Sequence, residues 1–474
     1  MTNSILDIFG DVATCNRTAV ELRKGAYRLD ASFYSEESLA AVVAVEDSGL
    51  ETDPLSEIAE VFCSGVRERT FVQPGAGHVL ITGSDLDTAT DADLRYVSPL
   101  FTRNYPTERL MRGDVLVSSA GTVGKCDFVW QNHENRLASQ DIVRVRAQDN
   151  KVRPGYLYAL LSSSLGSALL KNQSAGSVII RIYTEHLETM QVPRVSDEIE
   201  ERISKKIIAS FESRATAREL LINAQRALLS ANKLEPLPEA EDDKAECLTI
   251  SGSLLETDET RLEAHFYNRV ARTAIAMIQQ CPSRKRTVGE LSHDVIMGGR
   301  FKRNYVESEY GTPFLSGKSI VQISPSDVKH LSNSETDDLS DLLVKRGWIL
   351  VTCSGTIGRT CFVWHNFENY AASQHILRVL PDNSQVDAGY LCAFLASDYG
   401  FSQIIRFRHG SVIDEITDNQ LKKVIVPLPS PDKQKEIGDQ IRLSYEKRAE
   451  ALRLEDEAQE ILLREFKRKS IKES

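Results

Sequence analysis

The chain contains one stretch of sequence twice. Residues 113–193 return 234 positions further on, as residues 347–427. In the clearest part, 121–145 against 355–379, 15 of 25 aligned positions are identical without a gap. A chain that carries the same module twice presents two similar surfaces. This arrangement suits a target made of two parts better than it suits a single catalytic pocket.

The charge balance weakens the case for a nucleic-acid partner without excluding one. The formal net charge is -11, whereas nucleic-acid binding domains are usually basic. Much of the excess lies in one connector, because the residues from Leu234 to Glu263 include ten acids and only two bases. Each module is therefore close to neutral, and a neutral module can still bind DNA where its bases cluster.

Length and cysteine usage set broader bounds. A chain of 474 residues suggests about three domains, but the repeat favours two large modules with connectors. No run of 18 apolar residues and no signal peptide is visible, so we expect a cytoplasmic protein with no membrane partner. The eight cysteines form no CxxC pair, and the two copies do not share them. We therefore expect free thiols and no metal site.

Short β-branched or aromatic segments bounded by Gly or Asn predict strands, and longer apolar segments predict a few helices. The strands do not alternate regularly with helices, which favours an α+β fold. Two long uninterrupted helices follow the modules. The predicted organisation is an N-terminal extension (1–26), a first module (27–195), a first long helix (196–232), an acidic linker (233–260), a second module (261–429) and a second long helix (430–474).

Each long helix carries a single apolar stripe on a charged surface, which it must bury. The simplest solution packs the two helices against each other, antiparallel, with one module at each end. The alternative is that each helix folds back separately on its own module. The stripe positions that the repeat keeps, and that we expect to be buried, are Ile203, Ile207, Phe211 and Leu228 in the first helix and Ile437, Ile441, Tyr445 and Leu462 in the second.

No catalytic motif is found. Residues 118–125 look like a phosphate loop, but Ser119 stands where the template needs glycine, and Cys126 replaces the magnesium-binding Ser or Thr. Tetrapeptides for amino methylation, dinucleotide-binding GxGxxG, GxSxG and HExxH are all absent. We predict that the chain is not an enzyme and holds no cofactor or metal.

Basic residues do cluster beside glycine-rich segments, together with groups that can hydrogen-bond phosphates or base edges. As a set in a duplicated module, they favour a surface that faces DNA. The predicted DNA-binding residues are Arg67, Arg69, Lys125, Gln140, Arg181, Arg300, Lys302, Arg303, Asn304, Tyr305, Lys318, Arg359, Gln374, His375, Arg406 and Arg408.

Four motifs occur in one order along the chain, and most of them occur twice. Taken together they resemble the specificity (S) subunit of type I restriction–modification systems, an HsdS-like protein with two target recognition domains. The motifs are Val79–Leu86 and Pro313–Ile320, Gly113–Leu116 and Gly347–Leu350, Gly121–Lys125 and Gly355–Arg359, and the proline–glutamine segment Pro427–Ile437.

The resemblance implies a non-catalytic reader of double-stranded DNA. Each module would be a target recognition domain for one half of a split site. The two helices would form an antiparallel coiled coil that fixes the gap between the half-sites. Two methyltransferase (M) subunits would dock and supply S-adenosylmethionine, and restriction (R) subunits would add cleavage that depends on ATP and Mg²⁺, as in phage defence.

Two other functions stay open at this point. The chain could be the DNA reader of a type IIB-like or another phage-defence system, which the neighbouring gene would distinguish. It could also be a scaffold that binds no DNA, whose duplicated domains bind proteins and whose helices oligomerise. A DNA footprint with two protected patches would exclude the scaffold.

Overall fold

The structure is a computed structural model, and it describes residues 33, 35–63, 70–73, 75–86, 88, 94–102, 105–121, 123–131, 133–175, 180–238, 249, 261–323, 325, 328–365 and 367–470. The predicted N-terminal extension, 1–26, lies outside these residues. So does the predicted acidic linker, 233–260, apart from 233–238 and 249.

The chain forms two compact units. The first consists of residues 1–87, 91–212 and 453–474, and the second of residues 88–90 and 213–452. The two long helices, Asp197–Asn232 and Pro431–Ser470, each contribute to both units. The division between the two units falls inside both helices, after residues 212 and 452.

The first unit contains two four-stranded sheets and short helices. Sheet A has the strand order Ala59–Cys63, Ile142–Ala147, Val115–Ser118, Cys126–Phe128, and sheet B the order Phe71–Val72, Arg95–Val97, His78–Ile81, Leu137–Ala138. The strand pairs Thr52–Pro54 with Gln191–Pro193 and Ser174–Ala175 with Arg181–Ile182 lie outside these sheets. The helices are Glu36–Asp47, Leu55–Ile58, Pro99–Phe101 (3-10), Tyr105–Glu108, Pro154–Ser162, Ser164–Asn172 and Thr184–Glu188.

The second unit repeats this architecture. Sheet A′ has the order Ser292–Met297, Ile376–Pro381, Ile349–Thr352, Thr360–Phe362, and sheet B′ the order Tyr305–Val306, Lys329–Ser332, Gly311–Leu315, Ala371–Ala372. Strand Arg284–Thr287 pairs with Ile425–Leu428. The α-helices are Arg269–Gln280, Leu339–Leu342, Ala388–Leu395, Asp398–Ile405 and Asp418–Lys422, and the 3-10 helices are Ala264–Tyr267, Gly289–Leu291, Ser308–Tyr310 and Ser319–Val321.

The strand registers show that the repeat is longer than the sequence similarity reveals. Val61 pairs with Val145 in sheet A, and Val295 pairs with Val379 in sheet A′. Leu80 pairs with Leu137 in sheet B, as Phe314 does with Ala371 in sheet B′. The same offset of 234 therefore holds from the first strand of sheet A onward. The predicted α+β class with two pseudo-symmetric domains is confirmed.

Within each unit the two long helices run antiparallel. In the first, Lys206 donates to Glu457 at 2.5 Å and Ser210 donates to Glu455 at 2.7 Å, so positions rise along one helix as they fall along the other. In the second, the Ser444 hydroxyl donates to the carbonyl of Ala217 at 2.8 Å. The eight predicted stripe residues are all buried: Ile203, Ile207, Phe211 and Leu462 in the first unit, and Leu228, Ile437, Ile441 and Tyr445 in the second.

The long helices also pack on the modules themselves. The Phe211 ring lies 5.1 Å from the ring of Phe128, on an edge strand of sheet A. At the equivalent place in the second unit, the Tyr445 ring lies 5.9 Å from that of Phe362. The helix–helix packing and the helix–module packing that the sequence offered as alternatives therefore occur together.

Three further findings concern the described part of the chain. Its cysteines, including Cys353, Cys361 and Cys392, are free. It contains no group of three or more His, Cys, Asp or Glu that could hold a metal ion. None of its helices combines the length and apolar character that crossing a membrane requires.

Candidate nucleic-acid interface

The densest group of predicted DNA-binding residues lies in the second unit, on the segment that follows strand Ser292–Met297. Arg300 and Lys302 are exposed there. Arg303 donates a hydrogen bond from its Nη2 to Oε1 of Gln374 at 2.7 Å. The Nε2 of Gln374 lies 3.1 Å from the Nε2 of His375. The fold thus joins Arg303 to a glutamine 71 residues away in the sequence.

Aromatic rings lie beside these cations on sheet B′. The Arg303 guanidinium carbon is 5.2 Å from the ring centroid of Phe314, and the Lys329 Nζ is 4.7 Å from that of Tyr305. Tyr305 is 41% exposed. Cations held over rings are partly ordered before a ligand arrives. The sequence analysis did not select Lys329. It lies on this surface because strand Lys329–Ser332 pairs it with Phe314.

Asn304 and Lys318 sit near this surface in different settings. The backbone carbonyl of half-buried Asn304 accepts a hydrogen bond from the N–H of Ser332 at 2.9 Å. Lys318 is exposed and precedes the 3-10 helix Ser319–Val321. The backbone of Asn304 is therefore fixed, while the side chain of Lys318 faces solvent.

Arg359 and Arg406 pack against aromatic rings of their own unit. The Arg359 guanidinium carbon lies 5.2 Å from the ring centroid of Phe401. That of Arg406 lies 4.2 Å from Phe266 and 5.1 Å from Phe407. Burial lowers the pKa of Arg406 from its usual value. Both guanidinium groups therefore contribute to packing inside the domain.

Arg408 lies on an exposed loop that the fold holds in place. Its Nη1 is 4.0 Å from Oδ2 of Asp414, and both side chains are largely exposed. The loop is anchored by Arg261, which donates to the carbonyls of Phe407 at 3.0 Å and Arg408 at 2.9 Å. Beyond this anchor, Ile413 is an exposed apolar residue at the loop tip.

The first unit brings fewer predicted residues to its surface. Lys125 donates from its Nζ to the carbonyl of Leu86 at 2.5 Å, so its charge serves an internal contact. The Nη1 of Arg181 lies 3.2 Å from Oδ1 of Asp141, next to half-buried Gln140. Arg67 and Arg69 fall outside the described residues.

The two units differ at one pair of equivalent positions. Gln140 and Gln374 are identical and precede equivalent strands, but Asp141 comes next in the first unit and His375 in the second. Asp141 lies close to Arg181, whereas His375 contacts Gln374. The same framework therefore presents an acceptor in one unit and an imidazole in the other.

Residues 283–446 match a family model, the type I restriction modification DNA specificity domain. The match lies within the second unit. The matched residues cover sheets A′ and B′, which carry the Arg303–Gln374–His375 cluster. The first unit lies outside the matched residues, but its sheets have the equivalent strand order and register.

Comparison with curated proteins gives no match. Among solved structures, the chain is similar to a type I restriction–modification S subunit from M. genitalium, with 12% identity over 88% of this chain and 96% of that one, and a TM-score of 0.38. For the HsdS subunit from Thermoanaerobacter tengcongensis, identity is 16%, coverage 88% and 96%, and TM-score 0.29. A third similar chain comes from a structure of complex assembly and conformational transition of the type I R-M system. Its identity is 17% over 88% of this chain and 97% of that one, and the TM-score is 0.28. The family-model match is confined to residues 283–446.

Proposed function

We propose that the chain is the DNA-recognition subunit of a type I restriction–modification complex and reads a bipartite site, one half-site per unit. The observation that carries this proposal is the family match of the second unit, taken with the equivalent strand order in the first. One fold used twice provides two similar surfaces, and a bipartite DNA site provides two similar targets.

The residues that differ between the units would read different bases. The carboxylate of Asp141 only accepts hydrogen bonds, while the imidazole of His375 can donate or accept. Base edges in the major groove present distinct patterns of donors and acceptors, so these two groups favour different bases. Exposed cations such as Arg300 and Lys302 would contact phosphates, which fixes the register without specifying sequence.

The proposed DNA-contact surface of the second unit is made of predicted residues that the fold leaves at least partly exposed. We assign to it Arg300, Lys302, Arg303, Tyr305, Gln374 and His375. Lys125, Arg359 and Arg406 have internal partners, so we leave them out of the proposed contact surface.

Catalysis would belong to partner subunits. Two methyltransferase subunits would bind S-adenosylmethionine and modify the DNA, and restriction subunits would use ATP and Mg²⁺. The long helices, which pack antiparallel within each unit, would set the gap between half-sites and offer docking surfaces.

The test is modification in cells by the chain together with the methyltransferase encoded beside it. Methylome sequencing should show one split motif. Replacing Arg300, Lys302 and Arg303 together with Ala should abolish modification while the complex still assembles. Arg284→Ala, an exposed arginine on strand Arg284–Thr287, should leave the motif intact.

Other outcomes distinguish the competing functions. Full methylation by the triple variant would remove these residues from the interface. A partner methyltransferase fused to a nuclease would indicate a type IIB-like system. A complex that protects no DNA in a footprint would indicate a scaffold.

A further inference from the structure

Each unit buries one arginine at the equivalent position of its central strand. Arg144 lies on Ile142–Ala147 and is 0% exposed, and Arg378 lies on Ile376–Pro381 and is 2% exposed. A buried guanidinium is stable only where its charge is compensated and its hydrogen bonds are made. The two units place different groups around their buried arginine.

In the first unit Arg144 has a carboxylate in direct contact, which it shares with Arg146, whose Nε lies 2.7 Å from Oδ1 of Asp114. The Nη2 of Arg144 lies 2.9 Å from Oδ2 of buried Asp114. It also donates to the carbonyls of Glu108 at 2.9 Å and Arg109 at 2.8 Å. The guanidinium carbon lies 4.6 Å from the ring centroid of Phe62, which covers it.

The second unit lacks both the carboxylate and the ring. Trp348 stands at the position of Asp114, and Ile296 stands at that of Phe62. Arg378 donates to the backbone carbonyl of Asp341, whose side chain is exposed. Among the described residues, no carboxylate oxygen lies within ion-pair distance of Arg378, and the exposed carboxylate of Asp341 attracts its charge only from further away. The Nε of Arg378 has no hydrogen-bond partner, and the same holds for the Nε of Arg144. The positive charge of Arg378 thus has no carboxylate in direct contact in the described part of the chain.

The Arg378 guanidinium lies under the start of the basic surface segment. A Cβ built on Gly298 would be 3.0 Å from Nη2 of Arg378 and 3.4 Å from the Cα of Gln374. Gly298 is the first residue of the segment that carries Arg300, Lys302 and Arg303. The absence of a side chain at Gly298 therefore lets the backbone of this segment lie close against Nη2 of Arg378.

We propose that the surface over Gly298 binds a phosphate oxyanion, with Arg378 as the buried counter-charge. The inference rests on the proposed function, in which the oxyanion is a backbone phosphate of the DNA. A buried charge is screened less by salt than an exposed lysine, so it attracts an anion at its surface more strongly. The first unit lacks this site because Asp114 pairs directly with Arg144 and the Phe62 ring covers the guanidinium. The two units thus hold DNA unequally.

Trp348→Asp tests the proposal by restoring the internal carboxylate of the first unit. Asp114 and Trp348 have the same backbone setting: their N–H groups bond to the carbonyls of Met111 at 3.0 Å and Lys345 at 3.1 Å, and their carbonyls accept from Val129 and Val363, both at 2.8 Å. Trp348→Asp should therefore bring a carboxylate into direct contact with Arg378, as Asp114 is with Arg144. Trp348→Asn is the matched control, because it loses the same ring without adding charge.

The measurement is DNA affinity of the complex with its methyltransferase over a range of salt concentrations. One lost phosphate contact reduces the slope of log K against log salt by about 0.9. We expect that reduction for Trp348→Asp relative to Trp348→Asn. Equal slopes for the two variants would overturn the proposal. Failure of the wild-type complex to bind the methylated motif would instead overturn the proposed function.

A second pair of variants covers the case in which residue 348 tolerates no polar side chain. Gly298→Ala places a methyl group over Arg378, and it should weaken binding and reduce the slope. A Cβ at position 299 has no atom within 4 Å, so Gly299→Ala should change neither the DNA affinity nor the salt slope. Identical behaviour of the two alanine variants would count against the site.

Inorganic phosphate distinguishes a free ion from a DNA phosphate. Thermal unfolding of the full chain is compared in phosphate and chloride at equal ionic strength. Stabilisation by phosphate that Trp348→Asp abolishes, together with unchanged slopes on DNA, would assign the site to the free ion and overturn the DNA contact. A change in the DNA slope supports the proposal as stated.

Discussion

The phenol oxygen of Tyr445 accepts a hydrogen bond from the backbone N–H of Phe362 at 2.9 Å. Tyr445 lies on the helix Pro431–Ser470, and Phe362 ends an edge strand of sheet A′. The strand edge that would otherwise present an unpaired N–H is thereby closed by a helix. The first unit uses Phe211 at the equivalent place, which contacts Phe128 through its ring alone.

Tyr445→Phe should destabilise the protein, since it leaves the buried N–H of Phe362 without an acceptor. An unsatisfied buried donor costs about 1–3 kcal/mol. The measurement is the free energy of unfolding in urea. Tyr305→Phe, which removes an exposed hydroxyl, is the control and should change it by less than about 0.5 kcal/mol. Equal effects from both variants would mean that the hydrogen bond contributes nothing.

The sequence predicted which helix positions are buried but not how they are shared. The offset of 234 pairs Phe211 with Tyr445 in the alignment, and both are buried. What one sequence does not show is that Phe211 packs with Leu462 in one core while Leu228 and Tyr445 share the other. The apolar stripe of a helix keeps one period along its length. It therefore cannot show that the first and second halves of the helix pack into different cores.

Leu462→Ala should cost about 2–5 kcal/mol, because Leu462 is fully buried and its truncation leaves a cavity. Leu443→Ala on the same helix is the control, since Leu443 is 42% exposed, and it should have little effect. The check is chemical denaturation monitored by circular dichroism. A loss of similar size for both variants would show that helix propensity, and not core packing, dominates.

The candidate site was only partly predictable from the sequence. Clustering beside glycines indicated Arg300 and Arg303, which the structure leaves on the surface. The same criterion selected Arg359 and Arg406, which stack on Phe401 and Phe266. No local sequence pattern shows that Arg359 lies beside Phe401 or that Arg406 lies beside Phe266, because both rings are far from their cation along the chain. Likewise, it becomes visible only when the two folded units are compared that Arg378 has no directly paired carboxylate, whereas Arg144 has one.

Thiol labelling should follow burial. Burial raises the pKa of the Cys361 thiol to about 11 and that of Cys353 to about 12. At pH 8 the native protein should therefore react with iodoacetamide at exposed Cys63 much faster than at these two, as read by mass spectrometry. In urea the three rates should converge. Fast labelling of Cys361 in the native protein would contradict the buried environment.

The raised thiol pKa values also set a pH dependence of stability. A folded-state pKa above the unfolded value means that the native state binds more protons at alkaline pH. The contribution of Cys361 should be complete below about pH 8.5, the unfolded thiol pKa, and should decline as pH rises toward its folded value of about 11. Cys361→Ala should flatten this decline in unfolding measured from pH 8 to 10.

Under the proposed function, His375→Asp should change which bases one half-site contains. It places at the second unit the residue that the first unit has at the equivalent position, and a carboxylate can accept hydrogen bonds but not donate them. A base edge with a donor, such as the cytosine N4 amino group, should therefore be favoured over one with only acceptors. Methylome sequencing should show a change in one half of the motif with the other half retained.

His365→Asp, at an exposed histidine beside Arg346, should leave the whole motif unchanged. Changes in both halves, or in neither, would show that His375 does not read the half-site assigned to the second unit.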